Sequence, residues 1–102
     1  MSYVYILNQG GHDYSDAERF GELVFCTQGL IDKTGIQHMY RELTVALEDS
    51  LPTDYIMLTS LSSLCTVAGS IFSLKHNRLN LLIFTRDGYV AREIFFPKDE
   101  RD

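Results

Sequence analysis

The chain has 102 residues, 45% of them hydrophobic and 12% aromatic, a composition typical of one globular domain and too short for two ordinary ones. Its 14 acidic and 9 basic residues give a net charge of −5, and the basic residues are scattered singly, which argues against binding to a DNA or RNA polymer. No stretch approaches the roughly 20 consecutive apolar residues that cross a bilayer, so no membrane partner is predicted.

The sequence also predicts a compartment and a state of association. No basic segment precedes an apolar run at the N-terminus, so no signal peptide is predicted. Cys26 and Cys65 lie in apolar surroundings typical of reduced core cysteines, with a disulfide as the alternative. We therefore expect a cytoplasmic protein. Because so small a domain buries only about two-thirds of its unfolded surface, we also expect a homo-oligomer, a dimer or larger.

The first half of the chain predicts two strands and a helix. Residues 3–7 are β-branched and aromatic and precede a loop, as in a strand. A capping-box pattern at residues 15–18 predicts a short helical turn ending by Gly21, and residues 23–27 resemble a second strand. A second capping box, Thr34 with Gln37, opens a helix of three to four turns that ends before Pro52.

The second half predicts a strand, a helix and a hairpin. Residues 55–59 form the third strand, and 61–76 form a helix with Asn77 as a left-handed cap. Residues 79–85 are nearly all apolar, as in a strand covered on both faces. Asp87 and Gly88 supply positive φ angles for a hairpin turn into a last strand at 89–96.

These elements predict the fold class. We expect a single α/β domain over residues 1–96, followed by a polar tail at 97–102. The domain contains a mixed sheet of about five strands, two main helices, a right-handed βαβ unit over residues 55–84 and a C-terminal hairpin.

Two loops are candidate ligand sites, because ligands of open α/β sheets collect at the carboxyl ends of parallel strands. Hydroxyl side chains precede the second helix, whose free amides form an anion site; simple helix capping is the alternative. That loop supplies Thr59, Ser60 and Ser62. The loop after the first strand combines glycines with polar and aromatic groups, although a plain turn is the alternative. It supplies Asn8, Gly10, Gly11, His12 and Tyr14. If the first and third strands are parallel, both loops share one pocket.

Single polar residues complete the candidate site. Asn80 lies inside an apolar strand, where an amide needs a partner; that partner is either a ligand's base or ribose or the protein backbone. Arg19 and Arg41 are the bases nearest the two regions along the chain, and Tyr14 is the nearest stacking aromatic. The three histidines lack metal-ligand spacing and no nucleophile elbow is present, so we predict no catalysis, no metal and no cofactor.

Three segments, YILNQGGHDYS (5–15), DYIMLTS (54–60) and RLNLLIF (78–84), resemble small bacteriophage-encoded proteins, in particular the Thoeris anti-defence sponge family. The resemblance implies an oligomer that binds and sequesters a nucleotide-type immune signal, a cyclic ADP-ribose isomer or cyclic oligonucleotide, without cleaving it. It also implies ligand roles for Asn80 and Ser70. Such a protein needs amides and hydroxyls for phosphates, an aromatic for the base and no nucleophile.

Two alternatives remain open from the sequence. One is a protein-interaction module that inhibits a host enzyme through its acidic surface and an exposed aromatic sheet face carrying Tyr3 and Tyr5. The other is a small nucleotide hydrolase that works through His12 with Asp13 or Cys26. Nucleotide turnover that is abolished by His12→Ala would distinguish the hydrolase.

Overall fold

A computed structural model describes residues 2–97. The elements in chain order are β1 (Tyr3–Ile6), a 3₁₀ helix (Ser15–Phe20), β2 (Glu22–Phe25), α1 (Ile36–Ala46), β3 (Tyr55–Met57), α2 (Ser62–His76), β4 (Arg78–Thr85) and β5 (Gly88–Phe95). They form one sheet in the order β2-β1-β3-β4-β5, with only the β4–β5 pair antiparallel. The predicted α/β class, five-stranded mixed sheet and two main helices are confirmed. Of the predicted polar tail, only Pro97 lies within the described residues.

Both helices pack on one face of the sheet, because each carries apolar side chains at helical spacing. The sheet contributes Tyr5, Leu7 and Ile56 to this core, and the helical segments contribute Met39, Leu43, Leu47, Leu64, Ala68 and Phe72. Tyr5 is only 2% exposed, and Tyr3 packs partly buried against the same cluster. The predicted exposed aromatic face carrying Tyr3 and Tyr5 is therefore wrong, since the helices cover it.

The opposite face of the sheet is covered only in part. Alternate strand residues point to this face, where the 3₁₀ helix adds Ala17 to a smaller core. The sheet contributes Val4, Ile6, Met57, Leu82 and Tyr89 to that core. Phe84 of β4 is 69% exposed, so the prediction that this strand is covered on both faces is wrong at its carboxyl end. The connection after β1 therefore runs over this face through the 3₁₀ helix, whereas the connection after β3 runs over the opposite face through α2.

The two predicted capping boxes do not form. Neither the 3₁₀ helix nor α1 has a side-chain cap hydrogen bond at its N-terminus. The Ser15 amide instead donates to Asp13 Oδ1 (2.9 Å), and the Thr34 amide donates to Asp32 Oδ1 (3.0 Å). An aspartate bonds easily to the backbone two residues further on, and this turn competes with the box. Both carboxyl groups consequently have a lowered pKa, Asp13 mainly through the Ser15 amide and Asp32 mainly through the Thr34 hydroxyl.

α2 begins at Ser62, one residue later than predicted, and ends at His76 as expected. Asn77 follows in the left-handed conformation (φ 55°, ψ 27°), and its amide donates to the Ser73 carbonyl. The predicted left-handed cap is confirmed. Although α2 has 15 residues, no helix within residues 2–97 is long and apolar enough to cross a membrane.

The hairpin between β4 and β5 has a two-residue loop, because Thr85 pairs with Gly88. Gly88 has a φ of 113°, whereas Asp87 is not among the residues with positive φ. The predicted Asp-Gly geometry is therefore wrong at Asp87. The Thr85 hydroxyl stabilises the turn instead, since it donates to the Gly88 carbonyl (2.7 Å) and accepts from the Asp87 amide (3.2 Å).

A buried carboxylate organises the amino ends of β1 and β3. Asp54 is fully buried, and its two oxygens accept from the Tyr3 amide (2.8 Å) and the Leu51 amide (2.7 Å). These charge-assisted bonds satisfy the carboxylate and join the start of β1 to the turn before β3.

Asn80 belongs to the same end of the sheet. Its side-chain amide donates to the carbonyls of Pro52 (2.6 Å) and Asp54 (2.7 Å), and its oxygen accepts from Arg78 Nε (3.0 Å). It is 1% exposed, so these partners account for a polar group that burial would otherwise disfavour.

His76 predicts a pH dependence of stability. Its Nε2 lies 2.8 Å from Ser50 Oγ, and its ring packs against Phe72. Burial, and secondarily the charge of Lys75, lowers the His76 pKa below 6.5. The unfolded chain thus binds a proton more readily than the native one, so stability is full above about pH 6.5 and falls as the pH drops below it.

In urea titrations, we expect the wild type to lose more stability between neutral and mildly acidic pH than His76→Gln does. An equal loss in both proteins would contradict this, and His12→Gln is the matched control.

Candidate functional site

A cavity of about 420 Å³ lies between the carboxyl ends of β1 and β3. Its walls come from the loop after β1, the loop after β3 and the β4–β5 hairpin; they are Asn8, Gly10, His12, Asp13, Tyr14, Met57, Leu58, Thr59, Ser60, Leu61, Phe84 and Tyr89. Because β1 and β3 are parallel, the two predicted loops leave the same sheet edge and share this cavity. The chain turns to opposite faces after these two strands, and such a switch point is where open α/β sheets form ligand crevices.

The loop after β1 is held by Tyr14. The Tyr14 hydroxyl accepts a hydrogen bond from the Gly10 amide (3.1 Å), and the ring contacts Phe25 and His12 edge-on, with centroids 5.8 and 6.2 Å away. Asn8 Oδ1 lies 3.0 Å from the Thr27 hydroxyl, which connects the loop to the end of β2. The tyrosine therefore positions the loop while it forms part of the cavity wall.

The loop after β3 leads directly into α2. The Thr59 hydroxyl accepts from the Leu61 amide (3.2 Å), and the Thr59 amide donates to Cys65 Sγ (3.4 Å), so Thr59 shapes the turn. Ser60 is exposed beside the helix start. Among residues 2–97 no side chain caps α2, whose N-cap residue is Leu61. The helix capping that the alternative interpretation expected is therefore absent at these residues. The first backbone amides of α2 present partial positive charge.

Sequence reasoning missed an aromatic and apolar wall of the cavity. Phe84 and Tyr89 face each other across the hairpin, with ring centroids 5.2 Å apart, and Met57 completes the surface. Burial raises the pKa of Tyr89, so its hydroxyl remains a hydrogen-bond donor. One signal was present in the sequence: two aromatics flank a short hairpin turn, and cross-strand partners share a face of the sheet.

The charge of the cavity differs from the prediction. Within the described residues its lining includes the carboxylate of Asp13 but no lysine or arginine. Arg19 reaches the wall only by donating to the Tyr89 backbone carbonyl (3.1 Å), with its guanidinium over the Phe20 ring. Arg41 is exposed on α1 and does not line the cavity. The predicted roles of these two arginines as direct ligand contacts are therefore not supported by their positions.

Four other predicted site residues also lie outside the cavity lining. Gly11 is an exposed neighbour of the lining residues, and Ser62 is the first residue of α2. Ser70 is exposed two turns further along the helix and donates to the Thr66 carbonyl. Asn80 lies at the opposite end of the sheet with both its donor and its acceptor bonded within the chain. These bonds agree with the backbone-bonded interpretation of Asn80, and its ligand role stays a prediction.

A second cavity, of about 300 Å³, lies at the carboxyl end of β2 on the helix side. Asp32, His38 and Glu42 line it, and His38 Nε2 lies 3.4 Å from Glu42 Oε2. Cys26 lines neither cavity, and burial, with a smaller effect of Glu42, raises its pKa to about 12. Within residues 2–97, no three metal-ligating side chains come together.

The chain is similar to a family of phage proteins. A family model described as Phage Pam3 gp32-like protein matches residues 2–96, which is nearly the whole chain. No curated protein and no solved structure matches the chain. The matched range includes every strand, both helices and all residues that line the cavity.

Proposed function

Because the chain belongs to the Phage Pam3 gp32-like protein family, and is therefore a phage protein, we propose that it acts in the cytoplasm of the infected cell. There it binds and sequesters a small nucleotide-type immune signal, a cyclic ADP-ribose isomer or a cyclic oligonucleotide, and so blocks anti-phage defence. It functions as a sponge of the Thoeris anti-defence type. The observation that carries this proposal is the cavity at the β1–β3 switch point, which combines an aromatic wall with an uncapped helix start.

The base of the ligand stacks on the aromatic wall. Phe84 is 69% exposed although it belongs to a strand, and Tyr14 and Tyr89 stand beside it around the same cavity. A planar base covers such a surface, and stacking on an aromatic side chain contributes about 1–3 kcal/mol per base. The base thus shields apolar area that the fold leaves exposed.

The phosphates lie toward α2. The Ser60 hydroxyl lines the cavity, whose wall reaches Leu61, the residue directly before the first amides of this helix, and the helix dipole adds partial positive charge there. His12 also lines the cavity and is a further donor. In this arrangement backbone amides and the side chains of Ser60 and His12 replace the arginines that the sequence suggested.

The ligand is held without being cleaved. Cys26, the thiol of the hydrolase alternative, has a pKa raised to about 12 and does not line the cavity. The Asp13 carboxylate accepts from the Ser15 amide, which keeps it ionised and occupied in a turn. Both features favour storage of the ligand over nucleophilic attack.

The proposal is tested by capture and release. The purified full-length protein is incubated with cyclic ADP-ribose isomers and cyclic di- and trinucleotides, filtered and heated, and the released material is identified by mass spectrometry. We expect one class to be retained and released intact. A chemically altered product would replace the sponge with an enzyme, and no retention would contradict the proposal.

A matched pair of variants locates the site. Ser60 and Ser70 are both exposed serines, but only Ser60 lines the cavity. We expect Ser60→Trp to fill the cavity and abolish retention, whereas Ser70→Trp retains the ligand like the wild type. If both variants bind equally well, the ligand site lies elsewhere.

A further inference from the structure

The sheet ends in a long edge strand with apolar side chains at its carboxyl end. β5 has eight residues and, in the described part of the chain, pairs with β4 alone, whereas the other edge strand, β2, has four. Ile94, Phe95 and the following Phe96 are 45%, 65% and 38% exposed. Proteins usually shorten, charge or cover such an edge, because its free backbone groups attract another strand.

The hydrogen-bond pattern identifies which groups are free on this edge. The Phe96 amide donates to the Asn77 carbonyl, so the backbone of Phe96 points inward. The backbone N–H and C=O groups of successive residues point alternately toward and away from the paired strand. Those of Ile94 therefore also point inward, toward β4, while those of Glu93 and Phe95 point outward. Nearer the turn, Arg19 and Arg92 donate to the outward carbonyls of Tyr89 and Ala91. Within residues 2–97, the edge is thus partly protected near the turn and free at Glu93 and Phe95.

We propose that a second copy of this chain pairs with β5 along this free segment. The two β5 strands run antiparallel about a two-fold axis at Ile94, and the two five-stranded sheets become one sheet of ten strands. Glu93 of each copy then lies opposite Phe95 of the other, and these two residues exchange both backbone hydrogen bonds. The two Ile94 side chains meet at the axis. This interface does not depend on the proposed ligand.

Charge selects this register. If the two-fold axis lay one residue nearer the turn, Glu93 would lie opposite Glu93 of the second copy. One residue further, Arg92 would lie opposite Arg92. Like charges directly opposite each other are destabilising. A shift the other way sets Glu93 opposite Pro97, which has no amide hydrogen to donate. The Ile94 register is free of both charge conflicts, and it sets Pro97 opposite Ala91, whose carbonyl already accepts from Arg92.

The same register brings opposite charges together. Arg78 lies over the Phe95 ring, 4.6 Å from its centroid, and 3.6 Å from Glu93 of its own chain. Because Glu93 of the second copy lies opposite Phe95, it approaches the same guanidinium. The cavity stays open in such a dimer, since Phe84 and Tyr89 lie at the turn end of the hairpin and Ile94 near the other end.

Sedimentation of the full chain tests the interface. At micromolar concentration we expect the wild type to have twice its chain mass of 11.7 kDa. Ile94→Lys places two like charges at the axis and should give a folded monomer. Leu74→Lys is the matched control, because Leu74 is 89% exposed on α2, and it should remain a dimer. A monomeric wild type, or a dimer that Ile94→Lys leaves intact, overturns the proposal.

A cross-link tests the register by a separate measurement. Opposite Cα atoms in a non-hydrogen-bonded antiparallel pair are about 4.5 Å apart, within the range of a disulfide. Under mild oxidation Ile94→Cys should therefore form a covalent dimer efficiently, and Leu74→Cys should not. If both cysteines cross-link equally, the Ile94 axis is wrong even where a dimer sediments.

Discussion

Asn80→Ala should lower the free energy of unfolding by about 2–4 kcal/mol and leave ligand retention unchanged. The substitution removes the donor to the carbonyls of Pro52 and Asp54, the second of which is buried, and the acceptor for Arg78 Nε. Buried groups that lose their partner carry the full desolvation penalty, whereas the cavity lies at the other end of the sheet. Urea unfolding measures the first effect, and capture of the ligand at a temperature where the variant is folded measures the second.

Ser70→Ala is the control for that substitution. Ser70 was also assigned a ligand role by resemblance, but it is exposed and donates to the Thr66 carbonyl of its own helix. We expect Ser70→Ala to change stability by less than about 0.5 kcal/mol. A folded Asn80→Ala protein that fails to retain ligand, with native stability, would restore the functional interpretation of Asn80.

Tyr14→Ala should weaken binding of the retained nucleotide by about ten- to a hundredfold, the equivalent of losing one stacked base. Tyr14 supplies an aromatic wall of the cavity and also anchors the loop through the Gly10 amide. Titration calorimetry with the captured ligand measures the affinity.

Two further variants separate the roles of this side chain. Tyr14→Phe keeps the ring and releases the Gly10 amide, so we expect a smaller loss of affinity than for Tyr14→Ala. Tyr40 is 49% exposed on α1 and lines neither described cavity, so Tyr40→Ala should bind like the wild type. Equal affinities of Tyr14→Ala and the wild type would remove the aromatic wall from the proposed site.

Much of the fold could be predicted because its signals are local. The β-branched segment at Tyr3–Ile6, the apolar spacing of Ser62–His76 and the left-handed Asn77 each carry their own structural preference. The two capping boxes failed because Asp13 and Asp32 compete for the same backbone amides. A pattern of residue types does not show which of two local bonds forms.

The site was predicted as two loops, but not as a complete cavity. Loop residues such as Gly10 and Ser60 could be found from a general rule. Ligands of open α/β sheets bind at the edge of the sheet where the parallel strands end. Phe84 and Tyr89 enter the cavity through the register of the hairpin, which depends on the loop length between them. Arg41 was chosen by its position along the chain, and α1 places it away from the cavity.

The position of the cavity has a consequence for folding kinetics. β4 and β5 are joined by a two-residue loop, whereas Val4 of β1 pairs with Tyr55 of β3 from 51 residues away. Closing the longer loop costs more chain entropy, so the hairpin forms early and the β1–β3 junction late. A ligand that bridges this junction stabilises contacts that are absent from the transition state for folding. It should therefore lengthen the lifetime of the native state without changing how fast the chain folds.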